Sequence, residues 1–168
     1  MTARKVMLLG EIGVGKSSLI RRLVFDKFDF DYKPTLGVDI YRYEVPESAE
    51  RKAMTLIVWD TDGNMGQAIF KHIYMRQAAG ALILGDVTRR DTLRSMLELG
   101  QGFRDAFPGR QFSYLVNKFD LLTEDGTPDL PEGLTTATVP VMQTSAKTGH
   151  NVTKAFLDVA SAIQRRGL

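Results

Sequence analysis

Eight residues near the amino terminus, Gly10-Glu11-Ile12-Gly13-Val14-Gly15-Lys16-Ser17, carry the spacing GxxxxGK[ST], and the chemistry that spacing serves is the grip on a polyphosphate. Glycines at 10, 13 and 15 let the backbone bend until several N–H groups aim at one anion. A helix starting directly afterwards adds the positive end of its dipole. Lys16 would reach the β- and γ-phosphates of a nucleotide, and the Ser17 hydroxyl would ligate magnesium. The alternative is a glycine turn without a ligand, and local context separates the two, because the loop works only between a strand and a helix.

The flanking residues supply that context. Lys5 to Leu9 is a short apolar run that breaks at Gly10, and Leu19, Ile20, Leu23 and Val24 recur at helical spacing after Ser17. Gly37 to Pro46 and Ala53 to Asp60 are β-rich runs that a turn around 47–51 can pair as a hairpin. Residues 63–77 read as irregular, giving way to a second helix. Gly80 to Asp86 is apolar on both faces, as a buried parallel strand is. Asp91 is placed to cap a helix from Thr92 to about Phe107, which Gly100 and Gly102 weaken. Phe112 to Val116 and Val139 to Gln143 read as further strands, and Asn151 to Arg165 as a last helix with Val152, Phe156, Val159 and Ile163 as its buried stripe. Pro128, Pro131 and Gly133 leave room only for a short helix or an open loop between Leu121 and Pro140. Strands alternating with helices imply an α/β fold: a six-stranded, mostly parallel sheet with one antiparallel edge strand from the hairpin and helices on both faces. Ligands of such sheets sit beyond the carboxyl ends of the strands.

At 168 residues and 43% apolar, the chain reads as one domain over 1–168. A formal charge of +2 gives no field that implies nucleic acid. With no cysteine, thiolate metal sites, thiol catalysis and lipid attachment through sulfur are excluded for these residues. No apolar run approaches the roughly 20 residues that span a bilayer. A cytoplasmic protein without a direct membrane anchor is the expectation.

Two downstream segments decide the class of nucleotide. Asn117-Lys118-Phe119-Asp120 resembles the NKxD motif, and Thr144-Ser145-Ala146-Lys147 the TSAK motif, of the Ras-like small GTPases. By that resemblance the chain is a P-loop G domain that binds GTP and GDP with magnesium. The Asp120 carboxylate would accept two hydrogen bonds from guanine's N1 and exocyclic amine, whereas adenine would oppose it with an acceptor. Ala146 would offer its N–H to the base oxygen, Lys118 would pack along the ring, Asn117 would tie the loops together, and Ser145 and Lys147 would flank the base. Gly13, Val14, Gly15, Lys16, Ser17 and Ser18 would hold the phosphates.

Tyr32 to Asp39 is similar to a first switch segment, Val58-Trp59-Asp60-Thr61 to the strand end before the second, and Asp86 to Thr92 to the Rab-like branch. The resemblance gives the catalytic positions as Lys16, Thr35, Gly63 and Asn64 and the metal ligands as Ser17, Thr35 and Asp60. Phe28 would pack edge-on against the base. Segments 30–39 and 61–77 would order around the γ-phosphate and relax on hydrolysis, controlling effector, exchange and activating proteins. A chain lacking a cysteine tail fits a prokaryotic relative or a trimmed sequence equally.

Three residues depart from the family pattern. Asn64 stands where relatives carry the glutamine that orients water, and its amide is one methylene shorter. Asp62 places a carboxylate near the γ-phosphate; two unit charges about 5 Å apart at an effective dielectric of about 20 repel by about 3 kcal/mol. Ile12 would crowd an arginine supplied by an activator. Slow hydrolysis is expected, with Gln67 as a competing source of the missing amide. A nucleotide-binding regulatory module with negligible GTPase activity stays open beside the enzyme. His72 and His150 read as surface residues, and Arg165 and Arg166 suit the negative end of the last helix. Phe25, Phe28, Phe30 and Tyr32 divide between a partner-binding patch and packing on the core or nucleotide.

Overall fold

The computed structural model describes residues 2–28, 38–61, 63–71, 76–122 and 126–168, with the backbone alone at Met65, Gln67 and Lys71. Its framework is a six-stranded sheet in the order β2-β3-β1-β4-β5-β6. These strands are β1 (Thr2–Leu9), β2 (Val38–Val45), β3 (Met54–Thr61), β4 (Ala78–Asp86), β5 (Gln111–Asn117) and β6 (Val141–Gln143). Among these strands of the described residues only the β2/β3 pair is antiparallel, so the expected edge hairpin is present.

Alternation along β1 divides the core. Val6 and Leu8 face the cluster built with α1 (Lys16–Phe25) and α4 (Val152–Arg165), including Leu19, Ile20, Phe156 and Val159. Met7 and Leu9 face the cluster on the other side, where α2 (Arg90–Ala106) contributes Leu93, Met96, Leu99 and Phe103. A period of two in the strand thus sends successive side chains into separate layers.

Gly100 explains a weakness in the α2 pattern. A β-carbon there would lie 1.9 Å from the Tyr114 hydroxyl oxygen, so the helix can rest on β5 only without one. Burial raises the pKa of that phenol. The start of α2 corrects the sequence reading, for Arg89 and not Asp91 occupies the cap position. Thr92 accepts the Asp86 N–H at 2.9 Å and donates to the Arg89 carbonyl at 2.7 Å, which winds the chain two residues earlier. Asp91 falls in the first turn, where its charge suits the positive end of the helix.

Among the described residues between β5 and β6 there is one α-helical turn, α3 (Glu132–Thr135), after a 3-10 turn at Phe119–Leu121, which agrees with the proline-limited expectation. Gly63–Lys71 forms 3-10 turns broken at Gly66, with φ 48° and ψ −135°. Gln164 acts as a clamp at the far end of the sheet. Its amide accepts the Lys52 N–H at 3.0 Å and donates to the Lys52 carbonyl at 2.7 Å, joining the β2/β3 hairpin to α4.

Candidate functional site

The loop from Gly10 to Gly15 leaves β1 and enters α1 at the carboxyl end of the sheet. Gly15 has φ +105°, and a β-carbon there would be 2.4 Å from Asn117 Nδ2. Glycine is therefore required both by conformation and by the approach of β5. Lys16 is buried, and its ammonium donates to the carbonyls of Gly10 at 2.7 Å and Glu11 at 2.9 Å. It thereby spans the concave side of the loop. Val14 is buried, Ser18 is half-buried in the first turn of α1, and Ile12 is exposed on the rim.

Ser17 donates its hydroxyl to the carboxylate of Asp60, which is fully buried at the end of β3. A hydroxyl and a carboxylate converging at a phosphate loop are hard oxygen donors of the kind magnesium takes, so this pair fits the ion. Next to it, Thr61 donates to the Leu8 carbonyl at 2.6 Å, holding the end of β3 to β1.

The second half of the site arrives from β5. Asn117 Nδ2 donates to the Val14 carbonyl at 3.0 Å while its Oδ1 accepts from the Thr144 hydroxyl at 2.9 Å. Both Asn117 and Thr144 are buried. Lys118 donates to the Gly13 carbonyl at 2.7 Å and pairs with Asp86 at 3.1 Å. Asp120 accepts from the Ser145 hydroxyl at 2.7 Å, and that hydroxyl also accepts the Thr148 N–H at 3.1 Å. Ala146 is buried beside them and Lys147 is exposed. The segments 10–18, 117–120 and 144–147, more than a hundred residues apart at their extremes, thus adjoin one another.

Asp86 anchors Lys118, a role that motif spacing does not reveal. Its burial pushes the carboxyl up, but the hydroxyl and N–H of Thr88 and the Lys118 ammonium outweigh that and hold it below the ordinary aspartate value. Arg89, equally hidden from motif spacing, donates to the Ile12 carbonyl at 2.9 Å. Ser95 of α2 donates to the Glu11 carboxylate at 2.7 Å. The run Asp86 to Thr92 was legible as a resemblance, but nothing in its spacing reveals a contact with residues 11 and 12.

Gly63 is half-buried and rests against the Glu11–Ile12 backbone, while Asn64 is exposed. Phe28 is half-buried against the core, and Phe25 is 56% exposed and edge-on to Tyr41 with centroids 6.3 Å apart. Thr35, Asp62, His72 and most of segment 30–39 lie outside the described residues, as does the side chain of Gln67. Among the described residues, no helix is long and apolar enough to cross a membrane.

The model of the Ras family matches residues 5–165. The chain is 34% identical over 164 residues to the Ras-related protein RABA1g of Arabidopsis thaliana, covering 96% of this chain and 75% of that one. It is 31% identical over 166 residues to Ras-related protein Rab-31 of Mus musculus, covering 97% and 84%. Against the Ypt/Rab-type GTPase YPT7 of Saccharomyces cerevisiae the identity is 32% over 176 residues, covering 96% and 82%. With the sheet order, the phosphate loop and the adjoining base-motif segments already in place, these matches make the chain a member of the Ras family, on its Rab-like branch.

Proposed function

We propose that this chain is a guanine-nucleotide switch, binding GDP and GTP with magnesium and hydrolysing GTP slowly. Members of the Ras family are in general GTP-binding switches. The observation that carries the reading here is the double tie from Asn117 and Lys118 to the Val14 and Gly13 carbonyls, which sets a base-recognition segment against a phosphate loop. In this reading the Gly13, Val14 and Gly15 amides and Lys16 hold the β- and γ-phosphates, with Ser18 at the α1 terminus beside them. Asp120 selects guanine, with Ser145 holding its carboxylate and Ala146, Lys147, Lys118 and Phe28 around the base. Ser17, Asp60 and Thr35 would hold magnesium, which when bound neutralises phosphate charge.

Hydrolysis forms a bond from water oxygen to the γ-phosphorus and breaks the bond to the β–γ bridging oxygen, leaving GDP and phosphate. In this reading Asn64 would orient that water and Gly63 would give its N–H to the γ-phosphate. Thr35 would sense the γ-phosphate from segment 30–39, and segment 61–77 would move with it. Effector, exchange and activating proteins reading these segments, and a cytoplasmic setting, belong to the same proposal.

A second reading, a nucleotide-binding regulatory module with negligible turnover, is favoured by the short Asn64 amide. Calorimetry with magnesium tests the main reading. GDP and GTP are expected to bind far more tightly than ADP, and failure of both guanine nucleotides to bind would overturn it. Single-turnover phosphate release separates slow hydrolysis from none.

A further inference from the structure

Resting on that reading, we infer that Arg89 is a positioning residue of the phosphate loop, which turns its backbone amides toward the β- and γ-phosphates. Three successive carbonyls accept from side chains of other elements: Ile12 from Arg89 Nη1 at 2.9 Å, Gly13 from Lys118 Nζ at 2.7 Å and Val14 from Asn117 Nδ2 at 3.0 Å. In a planar trans peptide the carbonyl and the following N–H point in opposite directions. Each carbonyl held from behind therefore turns the next N–H to the other side, and those next residues are Gly13, Val14 and Gly15. Lys118 and Asn117 perform this for Val14 and Gly15. Only Arg89 performs it for Gly13 among the described residues.

The approach of Arg89 is shaped by the residue it serves. Gly13 has φ +79°, and a β-carbon there would be 3.3 Å from Arg89 Nη1, so the guanidinium lies against a backbone without a side chain. Arg89 holds the cap position of α2, and further along the same helix Ser95 donates to the Glu11 carboxylate at 2.7 Å. The helix thus grips the loop at two successive residues. Among the described residues no carboxylate pairs with Arg89, so its permanent charge adds to the attraction for phosphate.

The test uses the intact chain with magnesium, a fluorescent GDP analogue and GMP, which lacks the β-phosphate. Arg89→Ala is expected to release the GDP analogue roughly tenfold faster, the cost of one hydrogen bond to a charged donor. Its preference for GDP over GMP is expected to fall by a similar factor, with Arg89→Lys intermediate because one ammonium can still reach a carbonyl. Release within twofold of the unsubstituted chain, while that chain binds GDP tightly, overturns the inference and leaves the proposed function standing. Equal weakening of GDP and GMP, with a lowered Tm, also overturns it, because Arg89 would then brace the fold and not the phosphate amides. Loss of GDP binding by the unsubstituted chain overturns both.

Discussion

Gly63 lies so close to the phosphate loop that a β-carbon added to it would stand 2.4 Å from the Ile12 nitrogen. A side chain at 63 therefore cannot be seated without displacing the 63–71 segment from the Glu11–Ile12 backbone. Gly63→Ala is expected to keep the fold and retain nucleotide while uncoupling the two. Trp59, the single tryptophan, lies one residue before Asp60 on β3 and reports the change. Its fluorescence difference between the GDP-bound and GTP-bound forms is expected to shrink by at least about half, the outcome of shifting a two-state equilibrium. An undiminished difference would show that Gly63 does not transmit the nucleotide state.

Asn117 bridges two buried acceptor and donor groups, the Val14 carbonyl and the Thr144 hydroxyl. Asn117→Ala leaves both without that partner and is expected to cost about 2–3 kcal/mol of stability. Urea unfolding of nucleotide-free protein measures it. A change under about 0.5 kcal/mol would mean that the neighbouring groups re-pair at little cost.

Base selection is separable from phosphate grip. Asp120→Ala is expected to weaken GDP by about a hundredfold or more, since two charge-assisted hydrogen bonds are lost, and to leave ADP nearly unchanged. Competition binding gives both constants, and an unchanged GDP-to-ADP ratio would remove Asp120 from base recognition.

Asn64→Gln restores the longer amide. GTP hydrolysis is expected to accelerate about tenfold, equivalent to about 1.4 kcal/mol off the barrier. Phosphate release under single-turnover conditions is the measurement; an unaltered rate would point away from Asn64 as the element that orients water.

Asp86 predicts a dependence on acidity. Its carboxyl titrates below the ordinary aspartate value of about 3.9 in the folded chain. The stabilisation is therefore full above that ordinary value and is lost as pH falls from there through the depressed folded value. Asp86→Asn is expected to flatten this acid-side loss in chemical unfolding followed from neutral pH to about pH 3. An equally steep loss in the variant would assign the effect to other carboxylates.

Much of the fold is legible because periodicity reports burial. β4 reads as a strand because Gly80 to Asp86 is apolar on both faces, β1 because of its short apolar run before Gly10, and α4 as a helix because Val152, Phe156, Val159 and Ile163 form one stripe. Boundaries are less legible: β1 begins at Thr2, three residues before the apolar run, because pairing with β3 continues through its polar end. The Arg90 start of α2 depends on the Thr92 hydroxyl, a tertiary-style tie that a capping rule cannot see. In the site, motif spacing reveals residues that face a ligand. Arg89 and Asp86 act on backbone or on another side chain from across the loop, and no local pattern encodes such a contact.

The seat that Gly100 offers to the Tyr114 hydroxyl has a consequence for descent. Any larger residue at 100 would demand a smaller ring at 114, and the reverse exchange would open a void, so the two positions are expected to change as a pair among close relatives. Tyr114 lies three residues before Asn117 on the same strand. A mismatch at this remote contact would slide the strand and retune nucleotide retention without touching a single group that meets the ligand.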